Sequence, residues 1–385
     1  MTSWHIITGE YPPQPGGVSD YTFALADRLA AAGDQVNVWC PGSRTASVSQ
    51  AGVSVQRELG HLSPGDLKRA DRLLNAYPQP RRLLLQWVPH AYGYHSMNVF
   101  LCLWILKRKL ANRDNIELMV HEPFLPFTGI RVAVGAIIHR LMALLLLLGS
   151  DKVWVAIPGW ESKLRPYTLG RAIPFQWLPI SSNLPGIADI SQILTAKRPY
   201  VGHGVPLVGH FGTYGPSILD DLAEILTMLL QTEANLSVLL LGRGSREAAE
   251  IICRHNPKAQ NRIHATGELE STAIAANLCA CDLLIQPFPD GVSSRRTSLM
   301  AGLALGRPIV TTEGEWTEPL WKESGAVSLV KAGENASLVE ETLRLLSNPV
   351  DRERLGKAAK ELYDTRFDLR VTTQILLHAR GTVPQ

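Results

Sequence analysis

"PDGVSSRRTSLMAGLALGRPIV", Pro289 to Val310, reads as a strand end, a glycine turn, a helix and the start of a second strand. Gly291 suits the turn, because glycine takes positive φ at no steric cost. The apolar residues from Leu299 to Leu305 suit a helix, and "RPIV" suits a buried strand. The predicted helix starts at Ser294, with Ser293 or Ser294 as its cap. Its first turn carries Arg295 and Arg296 and no carboxylate. Cations there oppose the helix macrodipole at a cost of up to about 1 kcal/mol each. Such a pair either points to solvent or meets an anion, and its place after a strand-end glycine turn favours the anion. Guanidinium groups suit bidentate phosphate recognition.

The same unit recurs outward along the 385 residues. "WHIIT", "QVNVWCPG", "RLLLQWVP", "IELMVHEP" and "DKVWVAIPG" read as strands with turn residues at their carboxyl ends. Helical stretches such as "VSDYTFALADRLAAAG" lie between them. Periodicity fades between Pro179 and Pro206, which places a linker at residues 184–206. The alternation restarts with "LVGHFG", "LSVLLLGRG", "RIHATGE", "DLLIQPFP", "RPIVTTEG" and "AVSLVKAG". A chain of this length exceeds one ordinary core. The expected fold class is α/β, with two doubly wound parallel-sheet, Rossmann-like domains facing a cleft. They cover residues 1–183 and 207–364, and a last helix within 365–385 is expected to pack back on the first.

A hydrophobic share of 45% with 19% charged residues argues against disorder. The net charge of +3 is small and scattered, so no nucleic-acid partner is implied. Five cysteines without a CxxC pair read as reduced thiols. Cys279 and Cys281 lack the companions a zinc site needs, and no metal is expected. "LMALLLLLG", Leu141 to Gly149, is too short to span a bilayer, and no secretory leader is visible. The expectation is a cytoplasmic protein, at most peripheral to the inner face of a membrane. "MNVFLCLWILKRKLANR", Met97 to Arg113, either rests on anionic lipid with Trp104 at the interface or is a buried helix with a basic last turn.

Four further strand-end loops are candidates. In "EYPPQPGGVSDY", Gly16 and Gly17 let backbone approach a ligand, and the following helix offers free N–H groups to an anion or a sugar oxygen. Ser19 or Asp20 caps that helix in the alternative, and a plain structural turn explains the pair as well. The loop is not GxGxxG, and no phosphate-binding GxxxxGK[ST] exists, so no cofactor is expected. "MVHEPFLPF" puts His121 and Glu122 at a strand end, where a histidine donates a hydrogen bond to a ligand or is a satisfied structural residue. "QWVPHAYGYHSMN" brings His90 and Tyr92 among other aromatics, which stack on a sugar or simply pack. "VGHFGTYGPS" contributes Gly209, Gly212, Thr213 and Gly215, and "LLLGRGSRE" places Arg243 where it reaches a phosphate or lies on the surface.

In this order and spacing the motifs resemble those of GT-B nucleotide-sugar glycosyltransferases, within them the large retaining family 4, over nearly the whole chain. "PISSN" before the linker adds to the likeness. The resemblance implies a nucleoside-diphosphate sugar held mainly by the second domain, an acceptor of unknown identity held mainly by the first, and transfer with retention without a metal. It assigns Gly16 and Gly17 to the donor's diphosphate and sugar, His121 to the sugar, and the turn of Gly291, Val292, Ser293, Ser294 and Arg295 to the sugar and phosphates of the same donor. His90, Tyr92 and Glu122 fall on the acceptor side, and His121, Gly17 and Arg295 are the catalytic candidates.

The departures are informative. The family's Arg and Lys after the first strand of the second domain fall near His210 and Gly215. Its paired glutamates, counted back from Gly306, become Ser293 and Ala301. Arg295 and Arg296 are expected to replace the lost diphosphate cations. The alternatives are a non-catalytic nucleotide-sugar-binding subunit, or a nucleotide-sugar epimerase using Glu122.

Overall fold

A computed structural model of the chain describes residues 3–14, 16–42, 50–93, 96–125, 130–186, 188–202 and 204–379. It divides into two compact units, residues 1–180 with 369–385, and residues 181–368. The first unit runs β1 (Ser3–Ile7), α1 (Gly17–Ala31), β2 (Gln35–Trp39), β3 (Val53–Gln56), α2 (Pro64–Asn75), β4 (Arg82–Trp87), α3 (Val99–Asn112), β5 (Asn115–Val120), α4 (Ile130–Gly149), β6 (Lys152–Val155), α5 (Gly159–Leu164) and β7 (Phe175–Trp177). The second begins with α6 (Ile190–Lys197), β8 (Leu207–Phe211), α7 (Pro216–Thr232), β9 (Ser237–Leu241), α8 (Ser245–His255), β10 (Ile263–Ala265) and α9 (Ser271–Ala280). It continues with β11 (Leu283–Gln286), α10 (Thr297–Ala304), β12 (Ile309–Glu313), α11 (Pro319–Glu323), β13 (Ser328–Lys331), α12 (Asn335–Ser347) and α13 (Pro349–Leu362). The chain then returns to the first unit with α14 (Leu369–His378).

Each unit holds one parallel sheet. The first is seven-stranded in the order β3-β2-β1-β4-β5-β6-β7, the second six-stranded in the order β10-β9-β8-β11-β12-β13. The central strands are near-continuous apolar runs because helices cover both faces. β9, Ser-Val-Leu-Leu-Leu, is buried at every residue. β3 and β7 are short and partly exposed, so the strand signal read from apolar runs misses them. In each sheet the order reverses beside the first strand, between β1 and β4 and between β8 and β11. Ligands in open α/β sheets bind outside the carboxyl ends at that reversal.

α14 packs on α1, and Leu376 joins the core of Trp4, Leu25 and Val38. Residues 184–206, expected as a linker, contain α6. This helix packs on α9, and Lys197 is anchored on Asp282 at 2.8 Å.

The strand ends that matter in the first unit are fixed from below. Asp114, fully buried between α3 and β5, accepts from Arg81 Nε at 2.7 Å and Arg108 Nε at 2.6 Å. Arg108 continues to Asp71 at 3.0 Å and Asn75 at 2.6 Å. Removing one member of a buried charge network strands the others. Asp114→Ala is expected to lower unfolding free energy by about 3–5 kcal/mol in urea titration. A loss below about 1 kcal/mol, the scale of a surface pair, contradicts this role.

Candidate functional site

In the second unit the candidate residues gather on the loops after β8, β9, β11 and β12. The loops after β8 and β9 touch, since a Cβ on Gly242 would lie 2.4 Å from the Gly212 carbonyl oxygen. Thr213 is exposed beside Gly212. Gly215 is the N-cap of α7. His210 is buried, its ring edge-on to Tyr214 at 5.0 Å, and burial pushes its pKa down to about 3. A neutral imidazole therefore stands where the resemblance expects a cation. Arg243 is exposed and pairs with Glu268, an exposed partner worth under about 1 kcal/mol.

The loop after β11 is held against the loop after β12. Gly291 has φ 86°, and a Cβ there would lie 2.3 Å from Gly314 N and 2.4 Å from Thr317 Oγ1. Val292 N donates to Thr312 O at 2.7 Å, and Trp316 N donates to Asp290 O at 3.0 Å. Glu318, N-cap of α11, lies buried beneath. Its carboxylate accepts from Ser294 N at 3.0 Å, from the Ser294 hydroxyl, and from Trp321 Nε1 at 2.6 Å. Burial raises the Glu318 pKa against the lowering effect of these bonds. Ser293 is fully buried and its hydroxyl has no partner among the described residues.

This geometry corrects two expectations. α10 starts at Thr297, with Arg296 at the N-cap position and no side-chain cap, so neither Ser293 nor Ser294 caps it. The Ser294 hydroxyl is taken by Glu318 instead. The arginines also do not face an empty anion site. Arg295 pairs with Asp290 Oδ2 at 2.5 Å and Arg296 with Asp290 Oδ1, while the Arg296 guanidinium lies 4.6 Å from the Phe288 ring centroid. Asp290 spreads one negative charge over two positive ones, which leaves the cluster cationic and relieves the macrodipole cost.

In the first unit, Gly16 is the N-cap of α1 in extended backbone, and neither Ser19 nor Asp20 caps the helix. Ser19 N donates to Glu10 Oε1 at 3.1 Å, and the Ser19 hydroxyl donates to Gln14 O at 2.7 Å. Glu10 also closes the space at Gly16, where a Cβ would lie 2.3 Å from Oε1. The helix start expected to hold a ligand anion thus already meets a carboxylate of the chain. Gly17 is open, with nothing among the described residues within 4 Å of an added Cβ.

His121 follows β5 directly. Its N donates to Trp87 O at 2.9 Å, and its O accepts from Trp160 Nε1 at 3.0 Å. Nε2 lies 2.8 Å from Gln86 Oε1, and the Tyr21 ring stands edge-on at 5.2 Å. Burial pushes its pKa down to about 3. His90 and Glu122 are exposed neighbours, 3.9 Å apart. Tyr92 is not part of that surface. It is fully buried, stacks on Trp87 at 5.5 Å and donates its hydroxyl to Gln86 O. Tyr94 and His95 of the same loop lie outside the described residues.

Among the described residues no cluster of three or more His, Cys, Asp or Glu could hold a metal. Glu10, Gln86 and Glu318 are partners that sequence reading missed. Glu10 and Glu318 had weak signals, a carboxylate shortly before a glycine loop and one before a proline-started helix.

The neutral histidines give a pH dependence. Their pKa is about 3 in the folded chain against an ordinary 6.5, so the unfolded chain binds more protons between these values. Their contribution to stability is complete above 6.5 and falls as pH drops towards 3. Each histidine adds a slope of up to about 1.4 kcal/mol per pH unit. Urea unfolding at about pH 7.5 and about pH 5 should show this loss, reduced in a His121→Phe, His210→Phe double variant. An unreduced slope in that variant contradicts the burial argument.

Residues 205–348 match the family described as glycosyl transferases group 1. The chain is 24% identical over 389 aligned positions to the phosphatidyl-myo-inositol mannosyltransferase of Mycobacterium leprae, with 96% of this chain and 94% of the relative covered. Sucrose-phosphate synthase from Thermosynechococcus elongatus superposes with a TM-score of 0.74 at 15% identity, covering 98% of each chain. Anabaena HepE, solved with UDP and glucose, gives 0.74 at 15% identity over 100% of both chains.

Proposed function

We propose that the chain is a glycosyltransferase, on the match of residues 205–348 to the group 1 glycosyltransferase family and the likeness to the relatives above, and from that premise we infer what it transfers and how. Its donor is a nucleoside-diphosphate sugar, held by the second unit on the loops after β8 and β11. The observation that carries this reading is the cationic cluster of Arg295 and Arg296 around Asp290, on a loop fixed at the reversal of strand order. The UDP and glucose bound to Anabaena HepE support the same donor class.

The proposed reaction is retaining and metal-independent, of the family 4 type. The bond between the sugar's anomeric carbon and the diphosphate oxygen breaks, and a bond to an acceptor hydroxyl oxygen forms on the same face. The hydroxyl proton passes to the leaving phosphate oxygen, so no separate base is needed. The guanidiniums of Arg295 and Arg296 stabilise the charge that develops on the leaving group. A diphosphate carries more charge than Asp290 and draws the two arginines to itself. Arg295→Ala is expected to raise the donor dissociation constant about tenfold in calorimetry. Unchanged donor binding would contradict that role. A panel of radiolabelled nucleotide sugars separates an enzyme from a binding subunit, since only the enzyme releases free or transferred sugar. Full turnover in the presence of a chelator is the expected result for metal independence.

A second proposal concerns the acceptor side. Phe100, Leu103 and Leu110 of α3 and Val134, Ile137 and Leu141 of α4 are exposed, and the two helices pack together. Neither helix contains a carboxylate; towards the end of α3, Lys107 and Lys109 are partly exposed and paired with Asp71 and Asp151, while Arg108 is buried. Trp104, expected at the interface, is instead buried and bonded to Asp71 at 3.1 Å. No helix among the described residues is long and apolar enough to cross a membrane. An apolar face free of acidic residues fits the surface of an anionic bilayer and a lipid-linked acceptor. The M. leprae relative, named for a phosphatidyl-myo-inositol, is in keeping with this. The protein should float with vesicles containing phosphatidylglycerol at low salt, and a Leu103→Asp, Ile137→Asp variant should not. No flotation of the unaltered protein at low salt ends the proposal.

A further inference from the structure

We infer that Gln86 is a positioning residue that locks His121 in its Nε2–H tautomer, so that the ring offers Nδ1 as an acceptor to a substrate hydroxyl. The substrate clause rests on the function proposed above; the lock itself does not.

The argument begins with the backbone. β4 and β5 are parallel neighbours with Trp87 opposite Val120, so the residue after β5 lies beside the end of β4. His121 N bonds to Trp87 O at 2.9 Å, Trp160 Nε1 bonds to His121 O at 3.0 Å, and the Tyr92 hydroxyl bonds to Gln86 O. Both side chains therefore leave a fixed backbone. Gln86 is fully buried and His121 nearly so, and the Tyr21 ring stands edge-on to the imidazole. The contact of 2.8 Å joins Gln86 Oε1 to His121 Nε2.

Gln86 turns its amide oxygen to the ring and leaves its own Nε2 without a partner among the described residues; in that orientation the ring nitrogen donates, since an amide oxygen has lone pairs and no proton. A neutral imidazole has one N–H, and placing it on Nε2 leaves a lone pair on Nδ1. Burial keeps the ring neutral over the working pH range. Nδ1 makes no hydrogen bond among the described residues. What it meets must bring a proton, as a sugar hydroxyl does. A phosphate or carboxylate oxygen would face lone pair against lone pair. The sequence reading had His121 donating to its ligand; this geometry reverses that role, and a sugar hydroxyl, the contact the resemblance implies for this histidine, can supply the proton.

The test is long-range 1H–15N NMR on the full chain with labelled histidine, the His121 signals assigned by comparison with His121→Phe. The expected spectrum of the unaltered, ligand-free protein shows Nε2 protonated and Nδ1 unprotonated. Gln86→Met removes the acceptor at similar length. It should give mixed tautomers and lower kcat by about tenfold, the worth of one neutral hydrogen bond, with little change in donor KM. Gln86→Glu restores an acceptor and should restore protonation at Nε2. A protonated Nδ1 in the unaltered protein overturns the lock, whatever the substrate is. Pure Nε2–H in Gln86→Met overturns the part given to Gln86. The expected spectra without turnover of any nucleotide sugar would overturn the reaction proposed above and leave the lock standing.

Discussion

The contact between Gly291 and Gly314 sets the candidate donor site. No side chain fits at either place, so the loops after β11 and β12 meet backbone to backbone. With Gly291 in the left-handed region, a larger residue there carries both a steric and a conformational cost. The meeting brings Glu318 under Ser294 and ties Val292 to Thr312. The arginines on the far side of this clamp thus start from a fixed base.

Within each unit, charge is balanced by burial and short-range pairing. His210 and His121 are neutral by burial, Glu10 meets the start of α1, and Asp290 holds both arginines together. Two guanidiniums a few ångströms apart would repel each other and scatter without a shared partner. Asp290 preorganises them at the cost of one compensating charge. The positive character on the loop after β11 is therefore in place without a ligand, the kind of arrangement that lowers reorganisation where a charge develops.

Much of the fold was legible because buried parallel strands are apolar at every position. "LSVLLLGRG" and "DLLIQPFP" announce β9 and β11 through that run, and the glycines after them mark the carboxyl ends. β3 and β7 were not legible, since these two short, partly exposed strands carry too few apolar residues in a row to form such runs. The start of α10 was misplaced because Ser294 looks like a cap, while its hydroxyl bonds to a carboxylate that follows it by 24 residues. Tyr92 looked like a sugar platform by residue type, yet stacks inside on Trp87. Partners such as Gln86 and Glu318 are defined by long-range pairing, which spacing along one chain does not encode. Asp290 lay in full view beside Gly291, and only the geometry shows that both arginines return to it.

The central claim is that the Arg295–Arg296 cluster in the second unit receives the diphosphate of a nucleotide sugar. A 31P NMR titration of nucleoside diphosphates with the full chain tests it most directly. The account predicts that one or more nucleotides show shifted and broadened diphosphate signals with the unaltered protein, and that the effect disappears with an Arg295→Ala, Arg296→Ala variant of unchanged melting temperature. Diphosphate signals perturbed equally by both proteins, or by neither, would contradict it.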